Sequence, residues 1–255
     1  MKLASTLELR ETFDIRSGQI VAVIGAGGKH TLMHRLSQEL AAVGLPVVLT
    51  STTNLHRNAE LSKLGIIVVD ECDNWAGKLR ETLSNEMRAI VVGSRLGANM
   101  YRGIDGPFVS KLVSTEPSSV VLVKADGARR RLLKVPGEQE PVYPPRTNVC
   151  VLVLSLASIG KPITDQHVHR LERLQALTVG DTITKQTLLD VLQPGGYGDR
   201  MPGSARHMLY LSSCHAPSGL DHAQFIFEHT SQLFHVQACG DTISGLFYIA
   251  TADHV

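Results

Sequence analysis

No apolar run in this chain is long enough to cross a bilayer. The longest, such as residues 149–154, is strand-sized, against the roughly 20 residues that a spanning helix needs. No apolar segment builds up at the start either, where Met1 to Thr6 runs into Glu8, Arg10 and Glu11, so no signal peptide is expected. Neither sign of charge dominates: 25 Lys plus Arg oppose 24 Asp plus Glu, a net charge of +1. That balance argues against a protein that coats nucleic acid or an anionic membrane, although a local basic patch is compatible with it. The four cysteines, Cys72, Cys150, Cys214 and Cys239, contain no C-x-x-C and are widely scattered, so they read as reduced thiols. There is no internal repeat and no low-complexity segment. A cytoplasmic protein with no membrane and no nucleic-acid partner is the expectation.

What is present is a core. Of 255 residues, 43% are hydrophobic and 19% charged, enough apolar material for one large α/β domain over residues 1–255. Strand-like runs at residues 19–24, 45–50, 66–69, 89–93, 119–124, 148–154, 207–211 and 244–250 alternate with helical stretches at 31–43, 74–84, 108–113, 184–192 and 220–234. In the first helix Leu32, Met33, Leu36, Leu40 and Val43 recur at three- and four-residue intervals, and Gly44 stops it. Several strands are apolar throughout, as when helices cover both faces of a sheet. The rhythm predicts a doubly wound, mostly parallel sheet in a three-layer α/β/α arrangement of the P-loop NTPase type. Two long loops, at about 126–147 and 193–205, are expected to carry function.

The strongest local signal is Val23-Ile24-Gly25-Ala26-Gly27-Gly28-Lys29-His30-Thr31. A buried strand enters a glycine loop, and the loop opens a helix. Glycines let backbone N–H groups turn inward around an anion, and the helix N-terminus adds partial positive charge. Lys29 can then reach a nucleotide's terminal phosphates. Two positions depart from the full pattern: Val23 stands where a glycine is usual, and His30 stands where Ser or Thr would ligate Mg²⁺. Imidazole is a poor ligand for that hard cation, and the helix macrodipole keeps the ring neutral. Against this stands the plain alternative of a glycine-rich turn with a solvent-facing lysine.

Downstream, residues 120–123 end in Lys124-Ala125-Asp126-Gly127, placing Asp126 on the sheet edge where open α/β folds bind ligands. There it can support Mg²⁺ or orient an attacking group, with Thr52, from the hydroxyl run Thr50 to Thr53, as a second ligand; an Asp-Gly turn is the bland reading. Arg129-Arg130-Arg131 on the same edge suits phosphate oxygens, or is a solvated loop. His167 and His169 lack a partner at metal spacing, His222 and His229 read as helix surface, and Cys214 beside His215 does not define a thiol nucleophile.

Taken together, the blocks Gly25 to Lys29 with Thr31, Leu49-Thr50-Ser51-Thr52-Thr53, Lys124-Ala125-Asp126-Gly127, Lys134-Val135-Pro136, Glu140-Pro141, Gly160-Lys161-Pro162 and Val168-His169-Arg170 resemble the selenium-dependent hydroxylase accessory proteins, the YqeC-type P-loop proteins. The resemblance runs in order from about Ile20 to Gly196. It implies a P-loop NTPase fold, a cytoplasmic location and an accessory role in maturing molybdenum-containing hydroxylases, one of which would be a partner, and it favours a phosphate or substrate contact from His169 and Arg170. With ATP or GTP and Mg²⁺ as ligand, the loop and basic run make Gly25, Ala26, Gly27, Gly28, Lys29, His30, Thr31 and Arg129 the further expected contacts. Here the chain departs from that pattern at His30, Lys124, Ala128, Gln139 and the segment Ser212-Ser213-Cys214-His215, each change removing a metal ligand, a charge or a base contact. Lys29 and Asp126 would be the catalytic pair of an NTPase. The rival expectation is a degenerate P-loop protein that acts as a nucleotide-trapping or nucleotide-independent interaction or scaffold factor. A small-molecule kinase would further require an acceptor pocket, which the sequence does not locate.

Overall fold

A computed structural model describes residues 2–6, 8–56, 63–215 and 217–251. The chain opens with β1 (Lys2–Thr6) and a single turn, α1 (Leu9–Thr12). Next, β2 (Ile20–Gly25) leads through the glycine loop into α2 (Lys29–Ala42) and β3 (Val47–Ser51). After the two-residue β4 (Leu55–His56) come β5 (Gly65–Val68), α3 (Trp75–Glu86), β6 (Arg88–Val92), β7 (Arg95–Gly97), β8 (Met100–Tyr101), α4 (Gly106–Thr115) and β9 (Val120–Lys124). The remainder comprises β10 (Leu133–Lys134), β11 (Val149–Ser155), β12 (Val168–His169), α5 (Leu171–Gln175), α6 (Lys185–Asp190), β13 (Arg206–Ser212), α7 (Ser218–Thr230), β14 (Val236–Asp241) and β15 (Leu246–Thr251).

Ten strands form one sheet in the order β1-β15-β14-β13-β11-β2-β9-β3-β6-β5. From β14 to β5 the pairings are all parallel, and β15 runs antiparallel to both β14 and β1. This is the doubly wound α/β architecture expected from the rhythm of the sequence. Successive residues of each strand face opposite sides, so each strand feeds two cores. On one face Val21, Val23, Leu49, Leu122, Val151 and Tyr210 pack beneath α1 and α2. The opposite face is shared. Ile24, Leu152 and Leu211 lie under α5, α6 and α7, whereas Val48, Val91 and Val123 lie under α3 and α4.

Strand order fixes the site. From β2 the chain builds outward on one side to β5 and β6, returns to insert β9 beside β2, and then crosses to β11, β13 and β14. The reversal therefore falls at β2, whose C-terminal end carries the glycine loop, and open α/β sheets bind ligands at such a reversal. Register aligns the strand ends there: Val23 pairs with Lys124, Gly25 with Val153, Ser51 with Lys124, and Ser155 with Ser212.

Some boundaries differ from the sequence expectation. Helix α2 begins at Lys29 rather than residue 31, so Lys29 and His30 belong to its first turn. Val43 is not on the buried face but 48% exposed at the helix end, just ahead of Gly44, whose φ of +79° ends the helix. Strands β1 and β14 were not anticipated; β14 mixes Gln237 and Gly240 with small residues and lacks a β-branched run.

Two glycines separate backbone strain from crowding. A Cβ on Gly25 would lie 2.1 Å from the Val153 carbonyl oxygen at φ +97°, whereas one on Gly44 meets nothing within 4 Å at φ +79°. Gly44→Ala should cost about 1–2 kcal/mol, the left-handed backbone penalty alone. Gly25→Ala should cost on the order of 3 kcal/mol or more because strands β2 and β11 must also part. Chemical denaturation of both variants checks this, and equal losses would show that the strand pair absorbs the methyl group.

Candidate phosphate-binding site

The glycine loop is held from below. Gly25, Gly27 and Gly28 all have positive φ, at +97°, +72° and +145°. Ala26 N–H donates to the Val153 carbonyl at 3.0 Å, and a Cβ on Gly27 would come within 2.3 Å of Ser155 Cβ. The Ser212 hydroxyl donates to the Gly27 carbonyl. The ends of β11 and β13 thus press the loop into one shape, which only glycine permits.

Beside the loop lies a buried network of alternating charge. Asp126 is fully buried, and its Oδ2 accepts the Gly25 N–H at 3.1 Å and the Tyr197 hydroxyl at 2.9 Å, with Lys134 Nζ 3.1 Å away. Its Oδ1 faces Lys29 Nζ at 2.6 Å, while the same ammonium donates to the Gly25 carbonyl. Lys134, itself fully buried, also donates to the Gly127 carbonyl at 2.6 Å and lies 2.7 Å from Glu140 Oε2. Arg170 Nη1 closes the series at 2.5 Å from that oxygen. Burial alone would raise Asp126, but Lys29 and Lys134 overcome it and hold the carboxyl below its ordinary range. Burial likewise opposes a low Glu140, and Lys134 and Arg170 reverse it. Next to Asp126, burial keeps the Tyr197 phenol protonated, as a donor must be.

Above the network opens a pocket of about 1030 Å³. His30 lines it, pushed down to about 4 by burial and then by Lys124, Lys29, His56 and Arg130, so its ring is neutral at physiological pH. Lys124 is pushed down to about 7, chiefly by burial, and donates to Thr53 Oγ1 at 2.6 Å and the Asn54 carbonyl at 2.8 Å. His169 is lowered to about 4 by burial, with Arg170 and Lys134 adding to it against Glu140.

Of the residues expected from sequence, Gly27, Gly28, Lys29, His30, Thr31, Arg129, His169 and Arg170 line this one pocket. Gly25, Ala26 and Asp126 lie beneath it in the loop's foundation. Lys134, Glu140, His169 and Arg170 converge because β10 pairs in parallel with β12, Lys134 beside His169. The magnesium role expected for Thr52 does not suit this arrangement, and the one expected for Asp126 would rest on Oδ1 alone. Asp126 Oδ2 accepts two hydrogen bonds, whereas Oδ1 accepts none and has only the Lys29 ammonium beside it, and the Thr52 hydroxyl donates to the Val142 carbonyl at 2.6 Å. Of the run Thr50 to Thr53 it is Thr53 that lines the pocket, with Thr31 of α2 as a second hydroxyl residue. His30, in the hydroxyl position, offers no hard oxygen to a divalent ion. Gly160-Lys161-Pro162 stands apart, Pro162 bridging to Thr182.

Sequence reasoning missed three supports. Tyr197 reaches Asp126 from the second long loop, and Arg200 Nη1 donates to the carbonyls of Gly137, Glu138 and Glu140, tying that loop to the first. Neither residue carries a periodic or motif signal within its Gly- and Pro-rich stretch. Ser212 belongs to the segment that departs from the family pattern, and its position beneath the loop follows only from the β11–β13 register.

A parallel sheet whose reversal-point strand runs through a lysine-ended glycine loop into a helix defines a P-loop-type α/β protein. The family model described as YqeC protein matches residues 21–172, more than half of the chain, and the chain belongs to that family. It is 25% identical over 197 residues to the uncharacterized protein YqeC of Escherichia coli (strain K12), covering 76% of this chain and 75% of that one. Among solved structures, chloroplast FtsY from Physcomitrella patens aligns over 94% of this chain with 13% identity and a TM-score of 0.47. FtsY from Mycoplasma mycoides aligns over 94% with 11% identity and a TM-score of 0.45. This chain spans 64% and 66% of their respective lengths.

The low carboxyls give the fold an acid limit. Asp126 and Glu140 titrate below their ordinary 3.8 and 4.5, so on acidification the unfolded chain takes up these protons first. Their contribution is present above the unfolded values and drains away as pH falls through the folded ones. Urea midpoints should hold above about pH 5 and decline below about pH 4. A midpoint unchanged down to about pH 3 would remove the network from the stability of the fold.

Proposed function

We propose that this protein binds a nucleoside triphosphate, ATP or GTP, through its glycine loop, and serves as an accessory factor in the maturation of molybdenum-containing hydroxylases. The observation that carries the nucleotide reading is the loop itself. Three positive-φ glycines at a helix N-terminus, with a lysine in the first helical turn, form an anion seat at the strand reversal. The maturation role rests on the resemblance of the ordered sequence blocks, and a molybdenum hydroxylase is the client that it names.

In the structure Lys29 is turned to Asp126 and the Gly25 carbonyl. Binding moves its ammonium onto a phosphate oxygen, and Lys134 remains to balance Asp126. A neutral His30 donates one hydrogen bond to the phosphates and offers no hard oxygen. A second reading, a nucleotide-trapping factor that has lost turnover, is favoured by one feature: His30 stands where a hydroxyl would complete a Mg²⁺ shell.

Calorimetric titration with ATP and GTP, each with and without Mg²⁺, tests the nucleotide reading. Wild type should bind with little Mg²⁺ dependence, and Lys29→Met, which keeps the buried stem and removes the charge, should weaken binding about tenfold or more. No binding of either nucleotide would overturn the reading. His30→Thr should strengthen Mg²⁺-nucleotide binding and raise a slow hydrolysis. A wild-type rate near ~1 s⁻¹ that His30→Thr leaves unchanged would show that the site is not degenerate.

A further inference from the structure

The pocket is larger and more basic than a loop-bound phosphate requires. At about 1030 Å³ it stands at the top of the roughly 300–1,000 Å³ typical of small-molecule sites. Its charged lining comprises Lys29, Lys124, Arg129, Arg130, Arg131 and Arg170 against one carboxylate, Glu140. Lys29 is committed to Asp126 and Arg170 to Glu140. Arg129, Arg130 and Arg131 form no ion pair with a carboxylate among the described residues.

The placement of this surplus is one-sided. Beyond the loop and the start of α2, the lining comes from the segments after β3 and β9 and from β8, Glu140 and β12 with Arg170. None of it follows β13, and only His169 and Arg170 come from the segment between β11 and β13. The basic basin therefore extends from the glycine loop over the β9 and β3 ends, in one continuous pocket. Its arginines are also held in an unfavourable backbone state: Arg129, Arg130 and Arg170 have φ of +46°, +61° and +65°. Side-chain-bearing residues pay for that geometry, and such outliers gather where side chains must be aimed. Arg130 is further fixed by His56 Nε2 at 3.1 Å. Met100 and Leu132 give the basin an apolar wall.

We infer that this basin is a second subsite, which takes the phosphomonoester group of a small molecule next to a nucleotide held on the glycine loop. Planar guanidinium groups match a doubly charged oxyanion bidentately, and the apolar wall suits a small organic body. The inference deepens the nucleotide reading and rests on it for the identity of the neighbouring ligand.

The test uses calorimetry of the full chain with two probes, inorganic phosphate and glycerol 3-phosphate, in the presence and absence of saturating nucleotide. Wild type, Lys29→Met and the double variant Arg129→Gln/Arg130→Gln are compared, with circular dichroism confirming that each is folded. Glycerol 3-phosphate should bind nucleotide-saturated wild type at one further site. Its affinity should fall about tenfold or more in the arginine double variant and less than about threefold in Lys29→Met. Tighter binding of glycerol 3-phosphate than of phosphate would support an organic ligand, and equal affinities would reduce the subsite to an oxyanion site. Competition between either probe and nucleotide for one site, an equal loss in both variants, or no binding of either probe at millimolar concentration would overturn the inference. Should neither nucleotide bind wild type, the nucleotide reading fails, while the two variants still report on the basin.

Discussion

The buried carboxylate of Asp126 is the point from which the site is built. Removing a charge of this kind from water is tolerable only when donors replace the lost hydration. Here four groups from three parts of the chain do so: the Gly25 N–H and Lys29 of the glycine loop, Lys134, and the Tyr197 hydroxyl. The carboxylate thereby fixes the glycine loop to β9 and draws both long loops over the same sheet edge. Glu140 extends the arrangement outward by holding Lys134 and Arg170, and Arg200 locks the carbonyls around it.

Two lysines around one carboxylate also make the loop adaptable. If Lys29 were the sole counter-ion of Asp126, moving it to a ligand would strand a buried negative charge. Lys134 is already in place and fully buried, so the exchange leaves the interior balanced. The phosphate seat therefore combines a rigid backbone with a mobile charge. Rigidity comes from Val153, Ser155 and Ser212 beneath the loop, and mobility from a lysine whose head lies between two acceptors.

Much of this was legible in the sequence. The apolar runs of β2, β3, β6, β9 and β11 announce a sheet covered on both faces, and the glycine-lysine loop announces the site at its edge. Ordered blocks contain Lys134, Glu140 and Arg170, yet nothing in those blocks gives a reason for their convergence. That reason is the pairing of β10 with β12, two residues each and far too short for a periodic signal. Tyr197 and Arg200 were illegible for a related cause: their partners are a carboxylate and carbonyls supplied by other loops, and no local pattern encodes such a meeting. The choice between Thr52 and Thr53 depended on which hydroxyl the chain turned outward after β3, a matter of one residue of register.

The insertion of β9 between β2 and β3 has a consequence for how the molecule comes into being. Both neighbours of β2 lie far along the chain: Val21 pairs with Leu122 on one side and Val149 on the other. During synthesis the strand that will carry the glycine loop therefore emerges long before either flank exists. Such distant, parallel pairings close slowly, and an apolar strand with two open edges is a ready template for unwanted pairing in the interval. The loop's geometry is thus a late product of assembly, absent from any nascent chain that has not yet delivered β9 and β11.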